Sequence, residues 1–340
     1  MRRAMIAAAV LVPLVAGCSG AESEAEGCGP VPPAGVTSSD GWLGRIHAEP
    51  QNISVLVDDG QGQVLARRAQ EQQPVASATK VVALAAYARA VAVGDLDQGE
   101  VVPVAEWERW YLPGTDGGAH EQARARLGGD SVTLDQMVSA MVQESDNAVP
   151  DYLRDRLGDR ALIEAAAAGG WDDYRPSSKL GELIRLIEPG GDEWETARRY
   201  ANDPGYRASV QSKALPPLEI QSEWAETTGT ASARQLSDMH RSIADGSFGS
   251  GVDIARAHLE WQPAPPGYEA IGFKGGALPG VLADAIYLRG ADGTVATAVL
   301  LNRRMPVETW AEAVTTLSEQ GVLVRAMMEP EMFRRLACVV

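Results

Sequence analysis

The sequence predicts an α+β fold: an antiparallel sheet built from both ends of the chain and flanked by helices, with an all-helical region inserted between its halves. Three observations lead there. Near the N-terminal end, residues 52–57 and 63–68 read as strands around the turn Asp58-Asp59-Gly60. Near the C-terminal end, residues 270–274, 282–289 and 294–302 read as strands, the last two joined by Ala291-Asp292-Gly293. Between these two groups the chain carries helical composition and helical spacing.

The elements run in the following order. Met1-Arg2-Arg3, the apolar run Ile6 to Val15 and the small residues before Cys18 have the form of a secretory signal, too short to span a bilayer permanently. Residues 1–17 are therefore expected to be a signal peptide and residues 18–37, rich in Gly, Glu, Pro and Ser, a flexible tether. A single folded domain is expected over 38–340, with 38–76 and 261–340 as its sheet-bearing part and 77–260 as its helical part. A short helix is predicted over 38–48 with Ser39 or Asp40 as its cap. Residues 78–93 contain Ala, Val, Leu and Tyr without a breaker and predict a helix, with Ser77 at its N-terminus. Thr133 caps an amphipathic helix in which Leu134, Met137 and Met141 recur at helical spacing, and helices follow over 149–157 and 160–168. Pro176, Pro189, Pro204, Pro216 and Pro217 interrupt residues 169–226, so only 180–187 is predicted helical there. Residues 230–244 return to helix. Residues 307–328 are expected to close the chain as one long helix, with Glu312, Thr316 and Glu319 on its polar face.

A net charge of -16 argues against nucleic acid or anionic lipid as a partner surface. His47, His120, His240 and His258 show no metal spacing and no Gly-x-Ser-x-Gly elbow occurs, so no metal or other cofactor is expected. Beyond Cys18 only Cys28 and Cys338 occur. In an exported chain they are expected to pair, two free thiols being the alternative.

Three short motifs carry the chemistry. With twenty serines and four lysines in the chain, chance would place roughly a quarter of one Ser-x-x-Lys in it. The one that occurs is Ser77-Ala78-Thr79-Lys80. Three residues of separation put hydroxyl and amine on one helix face, and a desolvated lysine can take the serine's proton. The helix N-terminus adds N–H groups and partial positive charge where an oxyanion forms. Ser145-Asp146-Asn147 supplies a hydroxyl to relay a proton, a carboxylate to brace the loop and an amide to hold a carbonyl or Lys80. Phe273-Lys274-Gly275-Gly276 sets a cation on a strand beside two residues without side chains. Singly, each has a plainer reading: a capped helix with a solvated lysine, an Asx turn, a glycine bulge. Their order and the scarcity of lysine favour the joint one.

With these motifs, the chain resembles the β-lactamase and penicillin-binding-protein superfamily, and most of all the class A type of β-lactamase. Residues 134–158, residues 273–303 and Thr227-Thr228 ahead of a helix follow that pattern, and the likeness covers most of residues 50–330. Val15-Ala16-Gly17-Cys18 resembles a bacterial lipobox. The resemblance implies a β-lactamase/transpeptidase-like fold in which Ser77 is the acylated nucleophile, Lys80 its base and Ser145 the proton relay. Asn147, Lys274 and Gly276 would contact substrate, and the N–H groups of Ser77 and Ala277 would form the oxyanion hole. Cys18 would be lipidated and tether the protein outside the cytoplasmic membrane. The expected protein is a monomeric, exported serine hydrolase acting on a β-lactam or a related amide or ester, without a cofactor. A D-alanyl-D-alanine peptidase acting on peptidoglycan peptides and a non-catalytic wall-binding lipoprotein stay open as alternatives.

Two departures from the pattern stand out. Where the family has Lys-Thr-Gly or Lys-Ser-Gly, this chain has Lys274-Gly275-Gly276, so its grip on a substrate carboxylate is expected to weaken. The class A Glu-x-x-Leu-Asn, whose glutamate activates the deacylating water, is absent between Asn147 and Thr228. Glu182, Glu219 and Glu223 are candidates for that base in roughly the right region, none with the right neighbours, and each is expected instead to be a solvated surface carboxylate. The loop from Trp110 to Gly118 either walls one side of the cleft or packs its aromatics inside.

Overall fold

In the computed structural model, which describes residues 28–340, five strands form one antiparallel sheet: β1 (Ile53–Asp58), β2 (Val64–Arg67), β3 (Ala270–Leu278), β4 (Val281–Arg289) and β5 (Val295–Asn302). The spatial order is β2-β1-β5-β4-β3. Ile53 faces Asn302 and Asp58 faces Thr297, so the expected seam between the two ends of the chain lies at the middle of the sheet. The helices that matter here are α1 (Ser39–Ala48), α2 (Lys80–Val93), α3 (Leu134–Gln143), α4 (Ala148–Ala168), α5 (Lys179–Ile187), α6 (Leu218–Ala225), α7 (Ala233–Asp245), α8 (Val307–Thr316), α9 (Ser318–Met328) and α10 (Pro330–Ala337).

Both faces of the sheet are covered, which explains why β4 and β5 are apolar almost throughout. Leu282, Ile286 and Leu288 of β4 pack with Val55 of β1, Trp42 of α1 and Leu323 of α9. One residue out of step, Ala283, Ala285 and Tyr287 join the core of the helical region. At its centre is α2, buried at every position from Lys80 to Ala88 and ended by Gly94 in the left-handed conformation (φ 84°). Thr133 and Gln136 form a reciprocal cap at the start of α3. Gly158 (φ 77°) kinks α4 between the two helices expected there.

Several expectations are corrected. Besides α5, the segment 169–226 holds Glu193–Asn202, Pro204–Gln211 and α6. Pro204 sits in the first turn of its helix and Pro217 just before α6, where a missing N–H breaks no helical bond, and Asp192 and Asp203 supply side-chain caps. The long closing helix is two, α8 and α9, broken where Leu317 turns left-handed (φ 49°). Glu319, expected on a polar face, is instead fully buried. The cap of α1 is Ser38, which accepts from the Gly41 amide at 3.1 Å. The packed chain also starts before residue 38: Val36 is buried, and its carbonyl accepts from Thr316 Oγ1 at 2.8 Å and Ser318 Oγ at 2.6 Å. One expectation holds: Cys28 and Cys338 are each disulfide-bonded and not free thiols. The expected signal peptide and the lipid attachment at Cys18 lie outside the described residues.

Candidate active site

Ser77 lies in the one-turn 3-10 helix Ala76–Thr79 that leads into α2. The residue before it, Ala76, is left-handed (φ 47°), a conformation costing a residue with a Cβ about 1 kcal/mol or more. Thr79 Oγ1 holds this turn by donating to the Ala76 carbonyl at 3.1 Å. Edge strand β3 then runs against it so closely that a Cβ at Gly276 would lie 2.4 Å from the Ser77 nitrogen and 2.6 Å from the Val75 oxygen. Glycine alone permits that approach.

Both motif lysines converge on Ser145. Lys80 Nζ donates to Ser145 Oγ at 3.2 Å, to Asn147 Oδ1 at 2.6 Å and to the Ser145 carbonyl. Lys274 Nζ donates to the same Oγ at 3.0 Å and to the Gly275 carbonyl at 2.8 Å. Ser145 is presented by a left-handed backbone (φ 70°), a second strained residue at the same place. Lys80 is 1% and Lys274 3% exposed. Burial, and after it the charge of Lys274, holds the Lys80 amine well below the usual lysine range. Burial also lowers Lys274 to about 7, against the opposing pull of Asp284.

Asp146 braces the turn. Fully buried, its carboxylate accepts from Trp107 Nε1 at 3.1 Å and from the amides of Ala148 at 2.9 Å and Val149 at 3.0 Å, and meets His120 Nδ1 at 2.6 Å. Burial is the largest single influence on His120 and opposes its charge, yet the Asp146 bond and the charges of Asp146, Asp116 and Glu108 together outweigh it and raise the histidine's pKa. Tyr111 stacks on His120 with ring centroids 4.0 Å apart. Both readings of the loop at 110–118 therefore hold, for different residues: Trp110 and Tyr111 are packed inside, while Gly114, Thr115, Asp116 and Gly117 line the cleft.

Ser77, Ser145, Asn147 and Ala277 line one cavity of about 430 Å³. Lys80 and Lys274 stand behind it, and Gly276 lies against Ser77. Lys179 and Glu182 of α5 line it as well, joined by an ion pair at 3.2 Å, and Glu182 Oε1 also accepts from the Gly229 amide at 3.0 Å. The expectation of a solvated carboxylate is thus wrong for Glu182, which is buried, whereas Glu219 and Glu223 are exposed. Lys179 and Asp116 were not singled out from the sequence. The scarcity of lysine pointed at Lys179, since three of the four lysines gather at this site. Among the described residues no group of three or more His, Cys, Asp or Glu is placed to hold a metal ion.

Gly275 has its own structural reason. It pairs with Asp284 across the β3–β4 ladder, and a Cβ there would meet Asp284 Oδ1 and the Phe273 ring carbon Cζ at 2.7 Å each. The acidic neighbour occupies the space that a threonine or serine would need.

Comparison with known proteins agrees with this fold. The profile of the beta-lactamase enzyme family matches residues 45–323. The chain belongs to that family. Among solved structures, a β-lactamase from Sphaerobacter thermophilus is similar at TM-score 0.57 and 18% identity, over 84% of this chain and 96% of that one. The chromosome-encoded β-lactamase of Vibrio parahaemolyticus gives TM-score 0.58 and 13% identity, over 85% and 98%. PBP-A gives TM-score 0.52 and 16% identity, over 86% and 99%. At such identities the likeness establishes the β-lactamase-like fold. No curated protein matches the chain in sequence. Within the beta-lactamase enzyme family this member combines a Ser-x-x-Lys turn, a Ser-Asp-Asn turn and a strand lysine with a glycine at 275 and an ion-paired glutamate at 182.

Proposed function

We propose that this protein is an exported serine hydrolase that forms an acyl-enzyme on Ser77 with a β-lactam or a related amide or ester. The observation that carries the reading is the hydroxyl of Ser145, contacted by the amines of both Lys80 and Lys274 in the cleft that Ser77 lines. Lys80, whose amine is held well below the usual lysine range by burial and the nearby Lys274 charge, accepts the proton of Ser77 as Oγ attacks the carbonyl carbon. The N–H groups of Ser77 and Ala277 stabilise the oxyanion. The leaving group then departs with a proton passed from Lys80 through Ser145. Water finally hydrolyses the acyl group and restores Ser77.

A specific observation favours the penicillin-binding alternative, in which the acyl-enzyme persists. Both oxygens of Glu182 are engaged, one by Lys179 and one by the Gly229 amide. Intact-mass analysis after adding penicillin, alongside a chromogenic cephalosporin assay, tests the reading. A transient Ser77 adduct with turnover supports the hydrolase, a stable adduct the penicillin-binding form, and no adduct a non-catalytic protein. Ser77→Ala is expected to abolish both signals.

The leader ending at Cys18 and the disulfide-bonded state of Cys28 and Cys338 support export to an oxidising compartment and anchoring there by lipid. Cys18→Ala is expected to remove lipid label and shift the protein from the membrane to the soluble fraction of cells.

A further inference from the structure

The cleft has two unlike ends, and β3 orders them. Lys274, with its amine on Ser145, lies at one end, Gly276 sits against the Ser77 amide, and Leu278 and Pro279 come next. At about 3.3 Å per residue, Lys274 and Leu278 are roughly 13 Å apart along the strand. The nucleophile therefore stands between the proton-relay end and the Leu278 end. Beyond it, α6 crosses the tip of the β3–β4 hairpin so closely that a Cβ at Gly280 would lie 2.4 Å from Ser222 Oγ. Leu215, Leu218 and Trp224 from this side and Trp310 and Val314 of α8 line the cavity together with Leu278. Leu218 remains 43% exposed, which leaves apolar surface for a ligand to cover.

The charges of the cleft point the same way. Its one lining cation, Lys179, is paired with Glu182, and Asp116 adds a further carboxylate. No arginine is among the described lining residues, and the amines of Lys80 and Lys274 behind them are already engaged by Ser145. We infer that the Leu278 end of the cleft is an acyl-chain subsite, and that the site takes a neutral ester or amide with a hydrophobic acyl group whose leaving group lies toward Ser145. This rests on the acyl-transfer reading of Ser77. In the step, the bond from Ser77 Oγ to the carbonyl carbon forms and the carbon–leaving-group bond breaks. The leaving group departs with the proton that Ser77 gave up, and water later supplies hydroxide to the acyl carbon and a proton to Ser77.

The test is a series of p-nitrophenyl esters from acetate to decanoate, with p-nitrophenolate release as the rate and intact mass locating the acyl group on Ser77. The acylation rate constant is expected to rise about threefold per added methylene until the compartment is full. A p-nitrophenyl half-ester of succinate is expected to react more slowly than the butyrate ester. Leu218→Asp should flatten the series, while Ile220→Asp, on the same helix but outside the lining, should leave it steep. A flat or falling series with Ser77 still acylated overturns the subsite and leaves acyl transfer standing, as does a steep series unmoved by Leu218→Asp. A succinate half-ester faster than butyrate overturns the preference for neutral groups. No Ser77 adduct with any ester or with penicillin overturns both readings.

Discussion

Lys274 is buried, bonded to Ser145 and lowered to about 7, so its charge is present below neutrality and lost above it. Acylation that depends on that charge is expected to fall on the alkaline side with an apparent pKa of about 7, and Lys274→Arg should move this limb to higher pH. Stopped-flow acylation across pH 5–10 measures both. Gly276→Ala places a methyl against the Ser77 amide; it should cut acylation at least tenfold and cost about 1–3 kcal/mol in urea unfolding. Ser77, Lys80, Ser145 and Lys274 were legible in the sequence because their chemistry needs particular residue types at short spacings. Asp116 was not, and Glu182 was named but placed in solvent, because a carboxylate at a loop or helix position looks the same whether it faces a cleft or solvent.

Helix α5 shows how an element is aimed. Asp151 of α4, fully buried, accepts from the Leu180 amide at 2.7 Å and so anchors the end of α5 that carries Lys179 and Glu182. Burial pushes its carboxyl up to about 7, above an unfolded value of about 3.9. The folded state therefore binds the extra proton between those values, so this group's contribution to stability declines as pH rises from about 4 to about 7. Urea unfolding at pH 5 and pH 8 should show a smaller loss for Asp151→Asn, which can still accept from Leu180, than for the unaltered protein. Elements with strong periodicity, such as α3, were readable in advance. The helices at Glu193–Asn202 and Pro204–Gln211 were not, because their prolines and aspartates mark helix starts as readily as loops.

At the scale of the molecule, the sheet divides two cores, and an acidic pair sits in the one under the terminal helices. Asp284 of β4 and Glu319 of α9 are buried, and Asp284 Oδ1 accepts from Gln320 Nε2 at 3.2 Å. Burial raises both carboxyls, and for Glu319 the neighbouring Asp284 adds to it. Protonated, the pair is tolerated; as pH rises it must ionise, and stability falls. Glu319→Gln is expected to raise stability on the order of 1–3 kcal/mol at pH 8.5 and much less at pH 5, read from denaturant midpoints. The α+β class and the two-ended sheet were legible because strand and helix periods segregate along the chain. The pair was not, since the Leu317 break that accompanies the burial of Glu319 leaves no mark in the hydrophobic pattern.

The register between Ile53 and Asn302 also sets when the molecule can close. β1 meets β5 only after residues 59–294 have been made, which at ribosomal speeds takes roughly 10–50 s. Throughout that interval β1 has only its hairpin partner, and neither core is sealed. A polypeptide whose last hairpin completes its first strand remains threadable until synthesis is nearly over, the condition in which a translocation channel accepts its cargo.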